Sequence, residues 1–326
     1  MRVLVTGATG KVGQHFITRF LEDPRWPQAS VRALCHNRTV EPTDRIEVVK
    51  GSISDRAVVE KAVSGATHIV HLSTVKEDPD TAMDVSVKGT FLLLEAARAS
   101  DDFRQFLHVS GDCAVGHIFQ PYDGPVSETA PRKAYQGVYA LSKVLEEAML
   151  EQYYVQYDLN GCCLRAPWIM EKDDFRYALS FGDDQFGGPL WGDLMPAETV
   201  ARHHAEGGVP LMLDRTGRPL KRNFVHVDDL VSAMLAALDN PAARQQLFNI
   251  AMTEPVDYGA VASTLERTRG MKPVVIPTAF HSNLLDNAKA RQMLGWTPRY
   301  DLGRLIEAAF AYERAPDDPR IIWYPG

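Results

Sequence analysis

A glycine-rich turn near the start of the chain constrains the fold more than any other feature of its 326 residues. Gly7, Gly10 and Gly13 follow the strand-like segment Arg2–Thr6 and open a helix-like stretch at Val12–Glu22. The first glycine allows a tight turn, the second lets the backbone approach a pyrophosphate, and the third lets the helix pack closely. A helix N-terminus also favours phosphate charge, so the turn predicts a dinucleotide site. The predicted contacts are Gly7, Gly10, Lys11, Val12 and Gly13.

Strand-like and helix-like segments alternate along the first half of the chain. This order predicts an α/β fold, in which a doubly wound parallel sheet carries helices on both faces. The expected strands are Arg2–Thr6, Val31–Cys35, Ile46–Lys50, His68–Leu72, Phe103–Ser110 and Gly161–Leu164. The expected helices are Val12–Glu22, Asp55–Ser64, Thr81–Ser100 and Val138–Tyr157.

The alternation ends near residue 166, where glycines begin to punctuate a loop-rich region. Here the chain is expected to leave the sheet. A further strand, Asn223–Val227, and a helix, Asp228–Leu238, follow within residues 223–250. Asp228 is a candidate N-cap of that helix, because aspartate accepts hydrogen bonds from the first free backbone N–H groups.

The composition is that of an ordinary globular protein and excludes several kinds of partner. The 35 Lys and Arg against 42 Asp and Glu give a net charge of −7 without a basic block, so nucleic acid is not expected. No apolar run approaches the roughly 20 residues of a membrane helix, so no membrane partner is expected. The N-terminus enters a strand directly and leaves no room for a signal peptide. We therefore expect a cytoplasmic protein with a small-molecule ligand.

The cysteines and histidines show no metal-binding pattern. The four cysteines, which lack a CxxC spacing and are expected to be free, reduced and buried, are Cys35, Cys113, Cys162 and Cys163. His68 and His71, like the adjacent His203 and His204, have no third ligand at a suitable spacing. We therefore predict no metal site.

A tyrosine and a lysine stand four residues apart on the expected helix Val138–Tyr157. Tyr139 and Lys143 therefore leave the same helical face. A phenol is a poor base at neutral pH, and we expect the Lys143 ammonium to stabilise the phenolate and lower the pKa of Tyr139. Tyr139 then donates or accepts the proton of an alcohol while hydride moves from or to a nicotinamide ring. Tyr135 has no such partner, because the residue four positions later is Tyr139 itself.

The end of the second expected strand bears on the choice between NADP and NAD. An acidic residue there binds the ribose 2′-hydroxyl of NAD, whereas a basic residue accommodates the 2′-phosphate of NADP. Residues 31–38 contain no acid, and His36 and Arg38 favour NADP over NAD. In the alternative interpretation, these two side chains and Arg32 only decorate a surface turn.

Four further segments accompany the glycine turn and the Tyr139 and Lys143 pair. They are His68–Ser73, Val85–Thr90, Arg222–Leu230 and Leu294–Pro298. Together these motifs resemble the extended short-chain dehydrogenases/reductases of the NAD-dependent epimerase/dehydratase type, over nearly the whole chain. The resemblance implies a Rossmann-like dinucleotide-binding domain at residues 1–166, which also receives residues 223–250. It implies a smaller C-terminal α/β substrate-binding domain at residues 167–326.

The resemblance also assigns roles to individual residues. It implies a catalytic Tyr139 and a Lys143 that holds the nicotinamide ribose. Asp55 resembles the acid that contacts adenine in the superfamily, or it is only the N-cap of the next helix. The further cofactor contacts that the resemblance implies are Ser52, Ile53, Leu72, Ser73 and Pro167.

The chain departs from the family pattern after the fifth expected strand. The family commonly has two hydroxyl residues there, and the second, which helps to hold the substrate oxygen, is Gly111 in this chain. Either the register shifts and Ser110 serves as a catalytic residue, or Asp112 or the pair Ser73 and Thr74 supplies the hydrogen bond. A substrate group or a water is the remaining alternative.

Three other positions bear on the reaction and the substrate. Ser86 replaces an asparagine of the family's proton-relay pattern and needs a water to span the gap. Trp168 stands where sugar-nucleotide enzymes of the family carry an asparagine, and its indole favours stacking on a ring. Arg222 matches an arginine that meets the diphosphate in those enzymes, or it pairs with Asp228 or Asp229.

These residues support three interpretations of function. The first is an NAD(P)-dependent oxidoreductase acting on a secondary alcohol or ketone, by resemblance of a sugar or sugar-acid derivative. The second is a sugar-nucleotide epimerase or dehydratase that retains its cofactor. The third is a non-catalytic NAD(P)-binding sensor or scaffold, which Gly111 and Ser86 favour and the Tyr139 and Lys143 pair opposes.

The expected substrate site lies beneath the segment Glu171–Trp191, which we expect to fold over its mouth. The substrate contacts are expected at Thr74, Asp112, Trp168 and Arg222. The resemblance further implies a homodimer formed through the helices Thr81–Ser100 and Val138–Tyr157.

Overall fold

Strands and helices alternate along the chain. The computed structural model describes residues 1–183, 185 and 188–318. The strands are β1 (Arg2–Thr6), β2 (Ser30–Cys35), β3 (Ile46–Lys50), β4 (His68–His71), β5 (Gln105–Gly111), β6 (Gly161–Ala166), β7 (Trp168–Met170), β8 (Gly208–Leu213), β9 (Lys221–Arg222), β10 (Phe224–His226), β11 (Gln246–Asn249), β12 (Val256–Asp257) and β13 (Lys272–Pro277). The helices are α1 (Lys11–Glu22), α2 (Arg56–Val63), α3 (Pro79–Ala82), α4 (Gly89–Arg98), α5 (Val138–Tyr157), α6 (Asp174–Ala178), α7 (Ala197–Ala205), α8 (Val227–Ala237), α9 (Tyr258–Arg269), α10 (Ala288–Leu294) and α11 (Leu302–Ala311).

Seven parallel strands form the main sheet, in the order β11-β6-β5-β4-β1-β2-β3. Every residue of β4 and β5 is buried, as expected for strands covered by helices on both faces. The chain crosses between the two halves of the sheet at β1, which lies between β4 and β2. This topological switch opens a crevice at the carboxyl ends of β1 and β4. The expected doubly wound, Rossmann-like sheet is confirmed.

Neighbouring residues of the central strands pack into different cores. In β4, Ile69 joins the apolar cluster that α2, α4 and α5 cover, whereas Val70 joins the cluster that α1 and α8 cover. Phe16 of α1 and Leu230 of α8 lie in the second of these clusters and are fully buried. The alternation of side chains along a strand therefore distributes one apolar run between two helical layers.

A separate apolar cluster holds part of the chain that follows β6. Short strand pairs, β7 with β10, β9 with β12 and β8 with β13, surround Phe175, Phe224 and Tyr258. Ala290 and Trp296 pack with the main sheet instead, although they fall in the range expected for the substrate domain. The division at residue 166 stays a prediction, and residues 319–326 of that range lie outside the described part. None of the described helices has the length and apolarity needed to cross a bilayer.

Three local predictions were wrong in detail. The expected helix Thr81–Ser100 is divided into α3, a π-helical segment at Met83–Lys88, and α4. The expected strand Phe103–Ser110 is β5, which begins two residues later and includes Gly111. Asp228 does not cap α8, because the helix begins one residue earlier and the Nδ1 atom of His226 accepts the Asp228 N–H at 3.2 Å.

A buried ion pair fixes α5 to the sheet. Arg165 of β6 donates to both carboxylate oxygens of Glu147, at 3.1 and 2.7 Å, and both side chains are 1% exposed. Ser110 of β5 donates to the same carboxylate at 2.7 Å, and Arg132 approaches it at 3.1 Å. Burial would raise the pKa of Glu147, but the Arg165 guanidinium and these hydrogen bonds lower it, so the carboxylate stays ionised.

Candidate active site

The glycine turn has the close approaches that its sequence predicts. Gly7 has a φ of +66°, and a β-carbon there would lie 2.9 Å from the backbone of Leu72 and Ser73. A β-carbon at Gly13 would collide with the carbonyl oxygen of Gly7. Gly10 is the N-cap of α1, and no side chain caps this helix. The first N–H groups of α1 therefore face the crevice, and this turn fits the pyrophosphate of a dinucleotide.

The two residues after Gly10 have different environments. Val12 is half-buried and packs against the main-sheet cluster. Lys11 reaches across to the residues after β6, where its ammonium pairs with Asp174 and donates to the Ile169 carbonyl at 3.2 Å. Lys11 therefore ties the helix of the glycine turn to the segment that follows β7.

The residues expected to bind the adenosine half lie at the ends of β2 and β3. His36 is exposed and Arg38 is half-buried. Ser52 shares a hydrogen bond of 2.8 Å with Ser54, and Ile53 is buried against Gly89. The carboxylate of Asp55 accepts the Ala57 N–H at 2.9 Å and caps α2, as the second of the two expectations for this residue predicted. The adenine contact stays a prediction.

Tyr139 and Lys143 lie on α5, at the carboxyl edge of the sheet. Lys143 is buried, and its Nζ atom donates to Glu146 Oε2 at 2.7 Å and to Val109 O at 3.4 Å. That Nζ atom lies 6.0 Å from the centroid of the Tyr139 ring, whereas Nζ of Lys76 lies 3.8 Å from it.

The pKa of Tyr139 is raised, which contradicts the expectation that Lys143 lowers it. Desolvation is the main cause, and the neighbouring Cys113 and Glu146 act in the same direction. Glu146 forms an ion pair with Lys143 and so offsets part of its charge at the phenol. In this structure Tyr139 is therefore a protonated phenol at neutral pH, ready to donate.

Gly111, and not Ser110, faces Tyr139. A β-carbon on Gly111 would lie 3.7 Å from the Tyr139 hydroxyl and 2.9 Å from Cys113 Sγ. The preceding residue points to the opposite side of β5, where the Ser110 hydroxyl is bound to Glu147. The prediction of Ser110 as a catalytic residue is therefore wrong, and the sulfur of Cys113 occupies the space beside the phenol.

A chain of hydrogen bonds runs from Asp112 to Arg222. The Nε–H of Arg222 donates to His117 Nε2 at 2.9 Å, so Nε2 carries no proton. The proton of the neutral imidazole is therefore on Nδ1, which donates to Asp112 Oδ2 at 2.5 Å. Arg222 also donates to the Gly188 carbonyl at 2.8 Å and stacks on Trp168, 4.0 Å from the ring centroid. Its expected alternative partners, Asp228 and Asp229, are not among these contacts.

Three of the remaining predicted residues, Leu72, Ser73 and Thr74, form the turn after β4. Thr6 accepts the Leu72 and Ser73 N–H groups at 3.1 and 3.2 Å, which holds the turn after β4 against the glycine turn. The buried hydroxyl of Thr74 has no hydrogen-bond partner among the described residues, as expected for an atom that meets a ligand. Pro167 is buried between β6 and β7. The segment Glu171–Trp191, expected as a cover, includes Asp184, Phe186 and Gly187, which lie outside the described residues.

A family model agrees with this geometry. The model of the NAD dependent epimerase/dehydratase family matches residues 3–170 and 194–251, more than half of the chain. The chain belongs to this family. The expectation of an enzyme of the extended short-chain dehydrogenase/reductase type is confirmed at the level of the family.

Individual relatives span almost the whole chain. A UDP-glucose 4-epimerase from Mycolicibacterium smegmatis is 29% identical, over 96% of this chain and 99% of that protein. A 3-diazoavenalumate denitrifying reductase from a Streptomyces species is 29% identical, over 92% of this chain and 97% of that protein. A short-chain dehydrogenase/reductase superfamily protein from Agrobacterium tumefaciens, solved with bound NAD, has a TM-score of 0.80 and 24% identity, over 95% and 96% of the two chains.

Four residues near the phenol were missed in the sequence. The ammonium of Lys76 lies over the Tyr139 ring, and the sulfur of Cys113 lies beside Gly111, next to the phenol. Glu146 binds Lys143, and His117 binds Arg222. The motifs of the epimerase/dehydratase family include none of them. Only Glu146 had a visible signal, because a residue three positions after Lys143 lies on the same face of a helix.

The contact between Gly111 and Cys113 leads to a testable double substitution. Gly111→Ser alone forces its β-carbon against the sulfur of Cys113, whereas Gly111→Ser with Cys113→Ala removes the collision and places a hydroxyl beside Tyr139. A preorganised hydroxyl contributes strongly to stabilising an oxyanion, so we expect the double variant to turn over about tenfold faster than Cys113→Ala. Steady-state kinetics of the three variants measure this, and equal rates for the double variant and Cys113→Ala contradict it.

Proposed function

We propose that the chain is an NAD(P)-dependent oxidoreductase acting on a secondary alcohol or ketone of a sugar or sugar-acid derivative. The observation that carries the proposal is the presence of a protonated Tyr139 and a buried Lys143 on α5, at the same carboxyl edge of the sheet as a glycine turn that fits a dinucleotide. The bound cofactor supplies the hydride donor or acceptor. The residues of this chain supply binding, orientation and the proton.

The proton transfer follows from the state of Tyr139. In the direction of ketone reduction, the carbonyl carbon receives hydride and the carbonyl oxygen receives the phenolic proton, which leaves a tyrosinate. In the direction of alcohol oxidation, the tyrosinate removes the hydroxyl proton as hydride leaves the carbon. Lys143 holds the nicotinamide ribose and carries the positive charge nearest to the developing tyrosinate within α5. The raised pKa of Tyr139 favours the donor role at neutral pH.

The contacts of Arg222 support a substrate without a nucleotide. Its Nε–H donates to His117, one Nη atom donates to Gly188, and one face of the guanidinium covers Trp168. These contacts use two of the five guanidinium N–H groups, so the fork that would bind a diphosphate is already partly engaged within the protein. Trp168 is half-buried, and its indole suits contact with a single sugar or sugar-acid ring, whereas the Arg222 guanidinium stacked on it is buried.

A second candidate function is a sugar-nucleotide epimerase or dehydratase that retains its cofactor. The observation that favours it is the full-length similarity to a UDP-glucose 4-epimerase, together with an arginine at position 222. Such an enzyme oxidises and then reduces the same substrate, so it shows no net reduction of added cofactor. A non-catalytic sensor is disfavoured, because Tyr139 and Lys143 are both present.

Replacement of the phenol tests the proposed function. Tyr139→Phe removes only the hydroxyl that transfers the proton, and we expect turnover to fall at least about 1,000-fold while cofactor affinity stays near that of the wild type. The measurement is a screen of alcohols and uronic acids for reduction of NAD and NADP, with cofactor dissociation constants for both proteins. Unchanged turnover in Tyr139→Phe would sink the assignment. Recovery of tightly bound, non-exchanging NAD from the purified protein favours the second candidate instead.

Arg38 supports the use of NADP as well as NAD. It follows β2, where residues 31–38 offer no carboxylate to bind a 2′-hydroxyl. Arg38→Ala removes one charge-assisted interaction, and we expect the dissociation constant for NADP to rise about tenfold with little change for NAD. Fluorescence titration with both cofactors measures this. Arg25→Ala, at an exposed arginine paired with Asp23, is the control and should change neither constant. Equal effects on both cofactors contradict a role for Arg38 in selecting NADP.

We also propose a cytoplasmic homodimer that binds neither nucleic acid nor membranes. A groove between α4 and α5, lined by Phe91, Leu145 and Met149, supports the expected dimer face. Phe91 is 40% exposed, which is unusual for a large apolar side chain on a helix that otherwise faces the core.

Light scattering after size-exclusion chromatography tests the dimer. The wild type is expected at twice the mass of the chain, and Phe91→Lys is expected at the mass of one chain, because a buried unpaired charge disrupts an apolar interface. Val155→Lys changes an exposed apolar residue of α5 outside the groove and should remain dimeric. A wild type that elutes as one chain removes the proposal.

A further inference from the structure

Glu146 lies directly behind Lys143 and binds its side chain. The distance from Lys143 Nζ to Glu146 Oε2 is 2.7 Å, and the two side chains are 3% and 0% exposed. The same carboxylate oxygen lies 3.1 Å from His108 Nε2 on β5. The other oxygen, Oε1, has no hydrogen-bond partner among the described residues. Burial would raise the pKa of Glu146, but the Lys143 ammonium lowers it to about 2, so the carboxylate is ionised at neutral pH.

A metal ion does not explain this carboxylate. His71, His108 and Glu146 bring three possible ligand atoms together, but both nitrogens of His71 are already engaged. Thr90 donates its hydroxyl proton to the Ser86 carbonyl, so it accepts the Nε2–H of His71. Nδ1 of His71 then accepts from the hydroxyl of Thr6 at 2.8 Å.

The cation that Glu146 meets is therefore Lys143. We propose that Glu146 is a positioning residue, whose carboxylate fixes the Lys143 ammonium against β5 and offsets part of its charge. Through Lys143 it sets the proton affinity of Tyr139 and the balance between oxidised and reduced cofactor. This inference rests on the proposed function, because it assumes that the nicotinamide binds next to Tyr139 and Lys143.

The electrostatic consequence has a definite sign. A buried anion near the phenol disfavours the tyrosinate, so loss of Glu146 charge makes Tyr139 easier to ionise. The oxidised nicotinamide ring is a cation and the reduced ring is neutral, so the same anion favours the oxidised cofactor. The other groups facing Tyr139 come from several elements and are the same in every variant; burial lowers the pKa of Lys76 to about 8, so Lys76 loses its charge over the same pH range in all of them. These groups are Lys76 and Glu77 after β4, Asp112 and Cys113 after β5, Tyr135 before α5, and Lys143.

Two substitutions of Glu146 and one matched control test the proposal. Glu146→Gln removes the charge and keeps an amide oxygen for Lys143 Nζ, so that the ammonium stays hydrogen-bonded. Glu146→Asp keeps the charge and withdraws it by one methylene. Glu147→Gln is the control, because Glu147 is the adjacent buried carboxylate of α5 and binds Arg165 instead of Lys143. We expect it to lower stability and, by loosening α5, the rate, but to leave the pH dependence and the cofactor ratio in place, because Glu147 binds Arg165 and not Lys143.

The first readout is the pH profile of alcohol oxidation, which requires the tyrosinate and rises with pH. The rising part of this profile is called the alkaline limb. We expect Glu146→Gln to move the midpoint of the limb to lower pH by about one unit, and Glu146→Asp to move it by less in the same direction. Glu147→Gln should leave the limb in place while unfolding at a lower temperature. A limb that stays in place or moves to higher pH in the Glu146 variants overturns the proposal. If Glu146→Gln does not fold, Glu146→Asp alone decides, since an unchanged limb there has the same meaning.

The second readout needs no turnover. Dissociation constants for oxidised and reduced cofactor are measured by fluorescence titration at one pH below the rise of the profile, the same for every variant. We expect the ratio of the oxidised to the reduced constant to rise about fivefold in Glu146→Gln and to stay constant in Glu147→Gln. An unchanged ratio in Glu146→Gln refutes the proposal. Failure of the proposed function itself has a different signature, because the wild type then shows no turnover with any alcohol while this ratio still responds to the charge at position 146.

Discussion

The ion pair between Glu147 and Arg165 is the contact on which the geometry of the site depends. It joins α5 to β6 in a place that excludes water, and breaking such a pair leaves a buried charge that costs about 3–5 kcal/mol. Ser110 adds β5 to the same carboxylate. Because α5 also carries Tyr139, this network determines where the phenol stands relative to the carboxyl ends of the central strands. Ser110, a hydroxyl residue that could have served in catalysis, thus helps to hold α5 on the sheet instead.

Two adjacent glutamates of α5, Glu146 and Glu147, bind different cations on different sides of the helix. Glu147 faces a guanidinium and holds the helix, whereas Glu146 faces the ammonium of Lys143. A helix turns about 100° per residue, so neighbours point to different sides of the layer that α5 covers. The same separation occurs in β5, where Ser110 meets the anchor and Gly111 faces the phenol. In both elements the backbone geometry therefore puts one residue in the ion-pair network that holds α5 and its neighbour beside Tyr139 or Lys143.

The sequence was sufficient for the sheet, because short apolar strands and a glycine turn are local signals. It also located Tyr139 and Lys143, since their spacing is that of one helical turn. It did not predict that burial outweighs the lysine at Tyr139, because desolvation depends on residues far apart in the chain. His117 and Arg222 are 105 positions apart, and the proton position on His117 follows only from their contact. Cys113 was predicted only to be a free, buried thiol, and the sequence did not show that its sulfur lies beside Gly111, where the family has a hydroxyl side chain.

Charged contacts also connect α1 to the segment after β7. Lys11 pairs with Asp174, and His15 lies 2.9 Å from Glu171. Hydrogen bonds to Asp228 and to Glu171 raise the pKa of His15 to about 9. Movement of that segment away from α1 breaks both contacts. His15 is partly exposed, so dissolved ions screen its contact with Glu171, whereas the side chains of Lys11 and Asp174 are 11% and 6% exposed and their pair is screened much less. The two contacts that hold α1 to the segment after β7 therefore differ in how strongly salt weakens them, and the Lys11–Asp174 pair is the one that persists at high ionic strength.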